Sequence, residues 1–222
     1  MLTLAIDTST RLLSIALMHG NDVLASVEKM TKNNQSEILM SSIEALMNEH
    51  QVKPTDLKAI LVAIGPGSYT GIRVGVTAAK SLAYALHLPV VGVSSLEVMA
   101  HATDAREGIV VPMIDARRGT VFAGAYQKKG GIVLAEAHYS LDMLFERLVE
   151  AKVMLFVGDG ANNHEAQILH HYPQATVIGE ERYAHIKAVA LSKVAKIEKA
   201  VNPHTLVPNY LRKTEAEMNL DA

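Results

Sequence analysis

The chain has 222 residues, 49% of them hydrophobic but only 5% aromatic, no tryptophan, and a formal charge of −2 from 21 basic and 23 acidic side chains. That length supports one large or two small domains with a core of aliphatic residues and methionine, and the near-neutral balance gives no overall field to hold a polyanion, so unaided RNA binding is not favoured. Cysteine is absent, which excludes disulfides, thiolate catalysis and cysteine-ligated metal; the first residues carry no basic leader and no apolar stretch approaches the roughly 18 residues of a membrane span, so a soluble, cytoplasmic chain is expected.

In chain order, Leu2 to Ile6 is an apolar run ended by Asp7-Thr8-Ser9-Thr10, and Leu12 to Met18 and Val23 to Val27 follow across the turn residues His19-Gly20-Asn21-Asp22. Three strands in succession make a meander. A helix is predicted from Gln35 to Glu49, with Asn34 as N-cap and Glu37 as its capping partner. Leu39, Met40, Ile43, Leu46 and Met47 fill one broad face, and Ile38, Ser42 and Ala45 form a second, small-residue face, implying that the helix is approached from both sides. Next come a strand at Ala59 to Ile64, a glycine-dense turn, a helix reaching Leu86, a strand at Pro89 to Val93 and a helix from Ser95 to Thr103.

The same order then begins again. Ile109 to Ile114 is an apolar strand ended by Asp115, followed by Thr120 to Tyr126, the turn Lys128-Lys129-Gly130-Gly131, and Ile132 to Ala137. A helix over Leu141 to Ala151, a strand over Val153 to Val157, the turn Gly158-Asp159-Gly160 and a helix over Asn163 to Tyr172 complete the parallel. The matching order predicts a duplicated α/β architecture: an N-terminal lobe over 1–106, a C-terminal lobe over 107–200 that includes a final helix from Lys187 to Ala200, and a proline-punctuated tail over 201–222 packing back on the chain or a partner.

The segment from Gly65 to Gly75 stands where phosphate-binding loops sit, after a strand and before a helix. It does not match the Walker pattern, since no Lys-Ser/Thr pair follows, and in the dinucleotide fingerprint the third glycine would fall at Thr70. What remains is a tight turn followed by Gly71, Gly75, Ala79 and Ala83, a stripe at i, i+4 spacing that lets another backbone come close. That neighbour is either the domain's own sheet or a helix of a second chain.

Catalytic signals are sparse. Asp7 and Asp115, at equivalent strand ends, are candidates for holding metal-phosphate between lobes, and ordinary turn chemistry is the competing reading of both. His164-Glu165 opens a zincin-like pattern, but Ile168 stands where its second histidine would be. The basic pairs Arg117-Arg118, Lys128-Lys129 and Arg212-Lys213 read as solvated turns.

Taken together, Ile6-Asp7-Thr8-Ser9, the whole of 65–75, Gly92-Val93-Ser94-Ser95-Leu96-Glu97, Asp115-Ala116-Arg117-Arg118-Gly119 and Tyr210-Leu211-Arg212 resemble the TsaB family of tRNA threonylcarbamoyladenosine biosynthesis proteins. The resemblance spans essentially the whole chain and implies a duplicated actin/Hsp70/sugar-kinase-like (ASKHA, ribonuclease H-like) fold. It implies a chain that is not an enzyme by itself: a scaffold or activating subunit for a TsaD-type catalytic paralogue, with a TsaE-type ATPase completing the assembly. The complex adds threonylcarbamoyl to N6 of the adenosine beside the anticodon in tRNAs reading codons that begin with A. The segment Gly92 to Met99 is similar to one in the paralogue in which two histidines hold a metal; here Ser95 and Met99 stand in their places, so no metal and no cofactor is expected on this chain, and ATP and a divalent metal belong to the partner subunits. The resemblance places Ile38, Ser42 and Ala45 on one helix and Gly71, Gly75, Ala79 and Ala83 on the next at the interface with the paralogue, a surface that could self-pair as a homodimer when the partner is missing. tRNA is expected to be met through the complex. The alternative is a stand-alone ATP-dependent phosphotransferase or peptidase of the same superfamily.

Overall fold

A computed structural model of the protein describes residues 1–31, 34–103, 107–127, 131–148, 153–179 and 187–211. The turn expected at 128–131 lies almost wholly outside these residues, as do the centre of the lobe boundary and the basic pair at 212–213. Among the described residues, no helix is long and apolar enough to cross a membrane.

The chain divides into two compact units, the first made of residues 1–104 and 180–208, the second chiefly of 105–179. In the first, β1 (Leu2–Asp7), β2 (Leu12–His19), β3 (Asp22–Met30), β4 (Ala59–Ala63) and β5 (Val90–Val93) form one sheet in the order β3-β2-β1-β4-β5, antiparallel within the meander and parallel from β1 to β5. The inner strands are buried on both faces, which is why they read as continuous apolar runs rather than alternating ones. α1 (Gln35–Glu49) and α2 (Tyr69–Ala85) belong to the core on one face, where Leu39, Ile43, Ile72 and Val76 join Leu4, Ile6, Ile15 and Val62. α3 (Ser95–His101) follows β5.

The second unit repeats the plan. β6 (Ile109–Asp115), β7 (Thr120–Gln127), β8 (Ile132–Ser140), β9 (Met154–Val157) and β10 (Thr176–Ile178) lie in the order β8-β7-β6-β9-β10, with α4 (Leu141–Arg147), α5 (Asp159–Asn163) and α6 (Glu165–His171) between the later strands. Phe156, Met113, Val121, Leu144 and Ile168 centre its core. The two sheets share one topology, so the duplicated fold inferred from element order is present in the strand pairing.

Several local details depart from the sequence expectations. Asn34 makes no side-chain bond to α1, because its backbone is not extended, and the first helical residue instead turns its amide to Thr10 O at 2.7 Å. The Gly158-Asp159-Gly160 turn is the start of α5, and the helix expected over 163–172 is broken at His164 into α5 and α6.

The final helix, α7 (Lys187–Val194), is shorter than expected and belongs to the first unit, not to the C-terminal lobe of 107–200. It packs on β1 and β2, and Ser14 Oγ on β2 accepts the Ala188 backbone N–H at 3.1 Å. That bond satisfies one of the orphan donors of the helix's first turn from 174 residues away. Sequence proximity to the second lobe gave no sign of this return.

Residues 201–208 run back over the first unit. Val201 bridges to Val90, Lys80 Nζ donates to Leu206 O at 2.8 Å, and Leu206 is buried against Gly92, where an added Cβ would lie 2.9 Å from its Cδ1. Leu206→Ala is expected to cost about 2–4 kcal/mol in urea unfolding. A loss within experimental error of zero would mean that this strap is not part of the core.

Candidate functional site

Because β1, β4 and β5 are parallel neighbours, their C-terminal ends deliver three loops to one edge of the first sheet, where ligand sites of α/β folds gather. The loops are laced by backbone bonds: Ser68 N donates to Ser9 O at 2.7 Å, and Ser95 N donates to Gly65 O at 2.9 Å. Asp7, ending β1, is buried, and its Oδ1 accepts from Ser9 N at 2.8 Å and Ser9 Oγ at 2.6 Å. These are the bonds of an Asx-type turn, and they suffice to explain an aspartate at this strand end.

The glycines of 65–75 pack against that loop. A Cβ on Gly67 would meet Ser9 O at 2.2 Å, one on Gly71 would meet Thr8 O at 2.2 Å, and one on Gly75 would meet Thr8 Oγ1 at 2.3 Å. Thr8 Oγ1 itself donates to Gly71 O at 2.7 Å, so α2 is drawn onto the loop by a buried hydrogen bond that only glycine spacing permits. Further along the same face, Ala79 and Ala83 are fully buried against the sheet. The close approach predicted for Gly71, Gly75, Ala79 and Ala83 is therefore real, but the neighbour is this unit's own loop and core, and the assignment of these four to an intermolecular interface is corrected. Bulk at Gly75 would test folding rather than association.

On α1, Ile38 is half-buried and Ser42 is buried, its Oγ accepting from Lys29 Nζ of β3 at 3.1 Å, so these two also face inward; Ala45 is exposed. The surface left open is a different stripe. Met40 is exposed, contrary to its place on the predicted core face, and with Tyr69, Arg73, Val74, Thr77 and Ala78 it borders a groove of about 620 Å³ between α1 and α2. A second hollow of about 420 Å³ begins at the same Met40 and is lined by Ile43, Met47, Leu82 and Leu86. The Arg73 guanidinium lies 4.8 Å from the centre of the Tyr69 ring and donates to its hydroxyl at 3.0 Å, which holds both side chains at the rim. Sequence reasoning missed this stripe because small residues drew attention to the opposite side of α2; exposed Tyr69 in the first turn was the available signal.

In the second unit, Asp115 Oδ1 accepts from Arg117 N at 2.8 Å and Oδ2 from Asn163 Nδ2 at 3.3 Å, while its own N–H donates to Asp159 Oδ1 at 3.1 Å. It closes the β6–β7 turn and ties it to α5. Asp7 and Asp115 thus fall in different units, each engaged in its own turn. Ser95 and Met99 are both buried on α3, and the Ser95 hydroxyl has no partner among the described residues. An alcohol and a thioether are poor donors for a hard divalent ion. Among the described residues no group of three or more His, Asp or Glu side chains could hold a metal.

A family model described as TsaD, tRNA N6-adenosine threonylcarbamoyltransferase, matches residues 26–220. The tRNA threonylcarbamoyladenosine biosynthesis protein TsaB of Bacillus subtilis is 39% identical over 221 residues, covering 98% of this chain and 96% of that one. The chain belongs to the TsaB family. Among solved structures, YeaZ from Pseudomonas aeruginosa superposes with a TM-score of 0.78 at 28% identity, covering 95% of this chain and 99% of that one. A ROK hexokinase from Thermus thermophilus gives a TM-score of 0.53 at 14% identity over 89% of this chain and 99% of its own, a likeness of fold alone. Within the TsaB family chain described here, the glycine segment is a folding element, and the consequence is measurable. Gly71→Ala is expected to lower stability by about 2–3 kcal/mol, since the new methyl meets a backbone carbonyl that has nowhere to move. Identical denaturation midpoints for this variant and the wild type would mean that the loop is not seated on α2.

Proposed function

We propose that this chain is a non-catalytic scaffold and activating subunit of the complex that adds threonylcarbamoyl to N6 of the adenosine next to the anticodon in tRNAs reading codons that begin with A. The observation that carries the reading is the open apolar groove between α1 and α2, bordered by exposed Met40 and Tyr69, on a chain whose family is that of tRNA threonylcarbamoyladenosine biosynthesis proteins. Two helices presenting such a groove suit two helices of a partner with the same plan, and a TsaD-type catalytic paralogue has that plan. Ser95 and Met99 support a role in contact rather than chemistry, because they offer a divalent ion little. ATP and the metal are then supplied by the paralogue and by a TsaE-type ATPase in the cytoplasm, and this chain needs no cofactor of its own. Without the paralogue, the same groove pairs with a second copy of this chain.

The glycine stripe holds α2 in place from inside, so the residues that touch the partner are those on the outer faces. Met40→Asp and Thr77→Asp put charge on the groove wall at exposed positions and are expected to abolish co-elution with the paralogue and threonylcarbamoylation of tRNA by the mixture, while the thermal midpoint of the isolated chain stays close to wild type. Tyr69→Ala should weaken association at least about tenfold. Retained co-elution by both charged variants would sink the groove as the interface. The stand-alone phosphotransferase reading has its own readout in the same preparation: magnesium-dependent ATP hydrolysis by the isolated chain, lost in Asp7→Ala, would favour it over the scaffold.

A further inference from the structure

We propose that a second copy of this chain in the groove is held in one orientation by a reciprocal ion pair, Glu37 of each protomer with Arg73 of its partner, so that α1 of one copy lies over α2 of the other. The inference rests on the reading above, that the groove between α1 and α2 receives the helices of a partner, and adds which helix meets which.

The two helices that flank the groove divide their charge completely. α1 carries Glu37, Glu44 and Glu49 and no lysine or arginine, whereas α2 carries Arg73 and Lys80 and no carboxylate. Lys80 is engaged elsewhere, its Nζ donating to the Leu206 and His204 carbonyls of the returning strap at 2.8 and 3.4 Å. On α1, Glu37, Met40 and Glu44 are spaced three and four apart and are all exposed, which makes them one outward stripe. On α2, Tyr69, Arg73 and Thr77 are spaced four apart and are likewise exposed. None of the three charges is neutralised within the chain. The Glu37 and Glu44 side chains make no hydrogen bond or ion pair among the described residues, and Arg73 meets only the ring and hydroxyl of Tyr69, which hold the guanidinium in place and leave its charge unmatched. An acid in the first turn of α1 suits the helix dipole, but the dipole gives no reason for an arginine near the start of α2.

β3 and β4 are parallel in the sheet, so the helices that follow them run in the same direction, with their first turns at one end of the groove. The linings agree: residues 36–40 of α1 lie across from Tyr69 and Arg73 at one end, and residues 43–48 lie across from Leu82 and Leu86 at the other. Glu37 and Arg73 therefore share an end, and Glu44 stands at the opposite one. Two identical grooves can meet face to face about a two-fold axis in two ways. An axis along the groove sets α1 over the partner's α2 at the same level, and brings each Glu37 to the partner's Arg73. An axis across the groove sets α1 over the partner's α1 with the ends exchanged, brings each Glu37 to the partner's Glu44, and leaves each Arg73 facing a helix without a carboxylate. Both arrangements cover the same apolar wall around Met40, so the charges decide between them, two attractions against two repulsions. Since the second copy and the paralogue occupy one groove, this pair also sets how readily the chain is released for assembly.

Sedimentation equilibrium of the purified full-length chain at low salt tests the pair, with Met40→Asp as the marker that self-pairing uses the groove. R73E and E37R are each expected to raise the dimer dissociation constant about tenfold. E37R/R73E, which exchanges the two charges, should return it to within about threefold of wild type. Recovery in the double variant cannot come from a folding defect in the singles. Added salt should weaken the wild-type dimer and narrow its advantage over the single variants. A double variant as weak as the singles overturns the proposal, as does a tighter dimer in E37R, the result expected if Glu37 faced the partner's Glu44. Charge variants that all pair like wild type, beside a monomeric Met40→Asp, would leave the groove reading standing and make this orientation wrong. If Met40→Asp still pairs, or the wild-type chain is monomeric at every concentration, self-pairing through the groove fails first and this inference falls with it.

Discussion

The contact on which the first unit depends is the approach of α2 to the loop leaving β1. Thr8 Oγ1 reaches the Gly71 carbonyl at 2.7 Å, and Gly67, Gly71 and Gly75 leave no room for even a methyl between the helix and the loop. A helix held this tightly at its N-terminal half fixes the direction in which its opposite face points. That opposite face, with Tyr69, Arg73, Val74 and Thr77, forms one wall of the groove shared with α1. The backbone entropy lost to glycine inside a helix, about 1 kcal/mol per residue, is thus offset by a geometry that positions the outer surface.

The same loop collects α1. Gln35 on its first turn donates to Thr10 O, and Ser42 meets Lys29 of β3, so the second wall of the groove is registered to the same loop and sheet as the first. Side chains that look like surface candidates by size and spacing turn out to be fasteners. Those that form the surface are larger, and they are visible only once the helices are set in place.

Much of the architecture was legible in the chain because burial on both faces of β1, β2 and β4 leaves an unmistakable apolar run, and because the order of elements repeats. The stripe at Gly71, Gly75, Ala79 and Ala83 correctly announced a close neighbour, yet spacing alone identifies no neighbour, and the side of α2 was read wrongly. Met40 was misplaced for a related reason: the apolar arc of α1 is wider than the sheet can cover, and its edge residue is left outside. The assignment of α7 failed because its partner, Ser14, lies at the far end of the chain.

That last pairing bears on how the protein is made. The first sheet is assembled from residues near the N-terminus, but one of its faces is completed by α7, which is translated after residues 105–179 of the second unit. During synthesis β1 and β2 therefore wait, with apolar side chains on that face uncovered, until the final stretch has cleared the ribosome. Contacts so distant in sequence are slow to close. The strands of the second unit all lie within 105–179 and can reach their native pairing while the first unit is still open. Nascent chains of this protein would then mature from the inserted lobe outward, with chaperone demand concentrated on the half that emerges first.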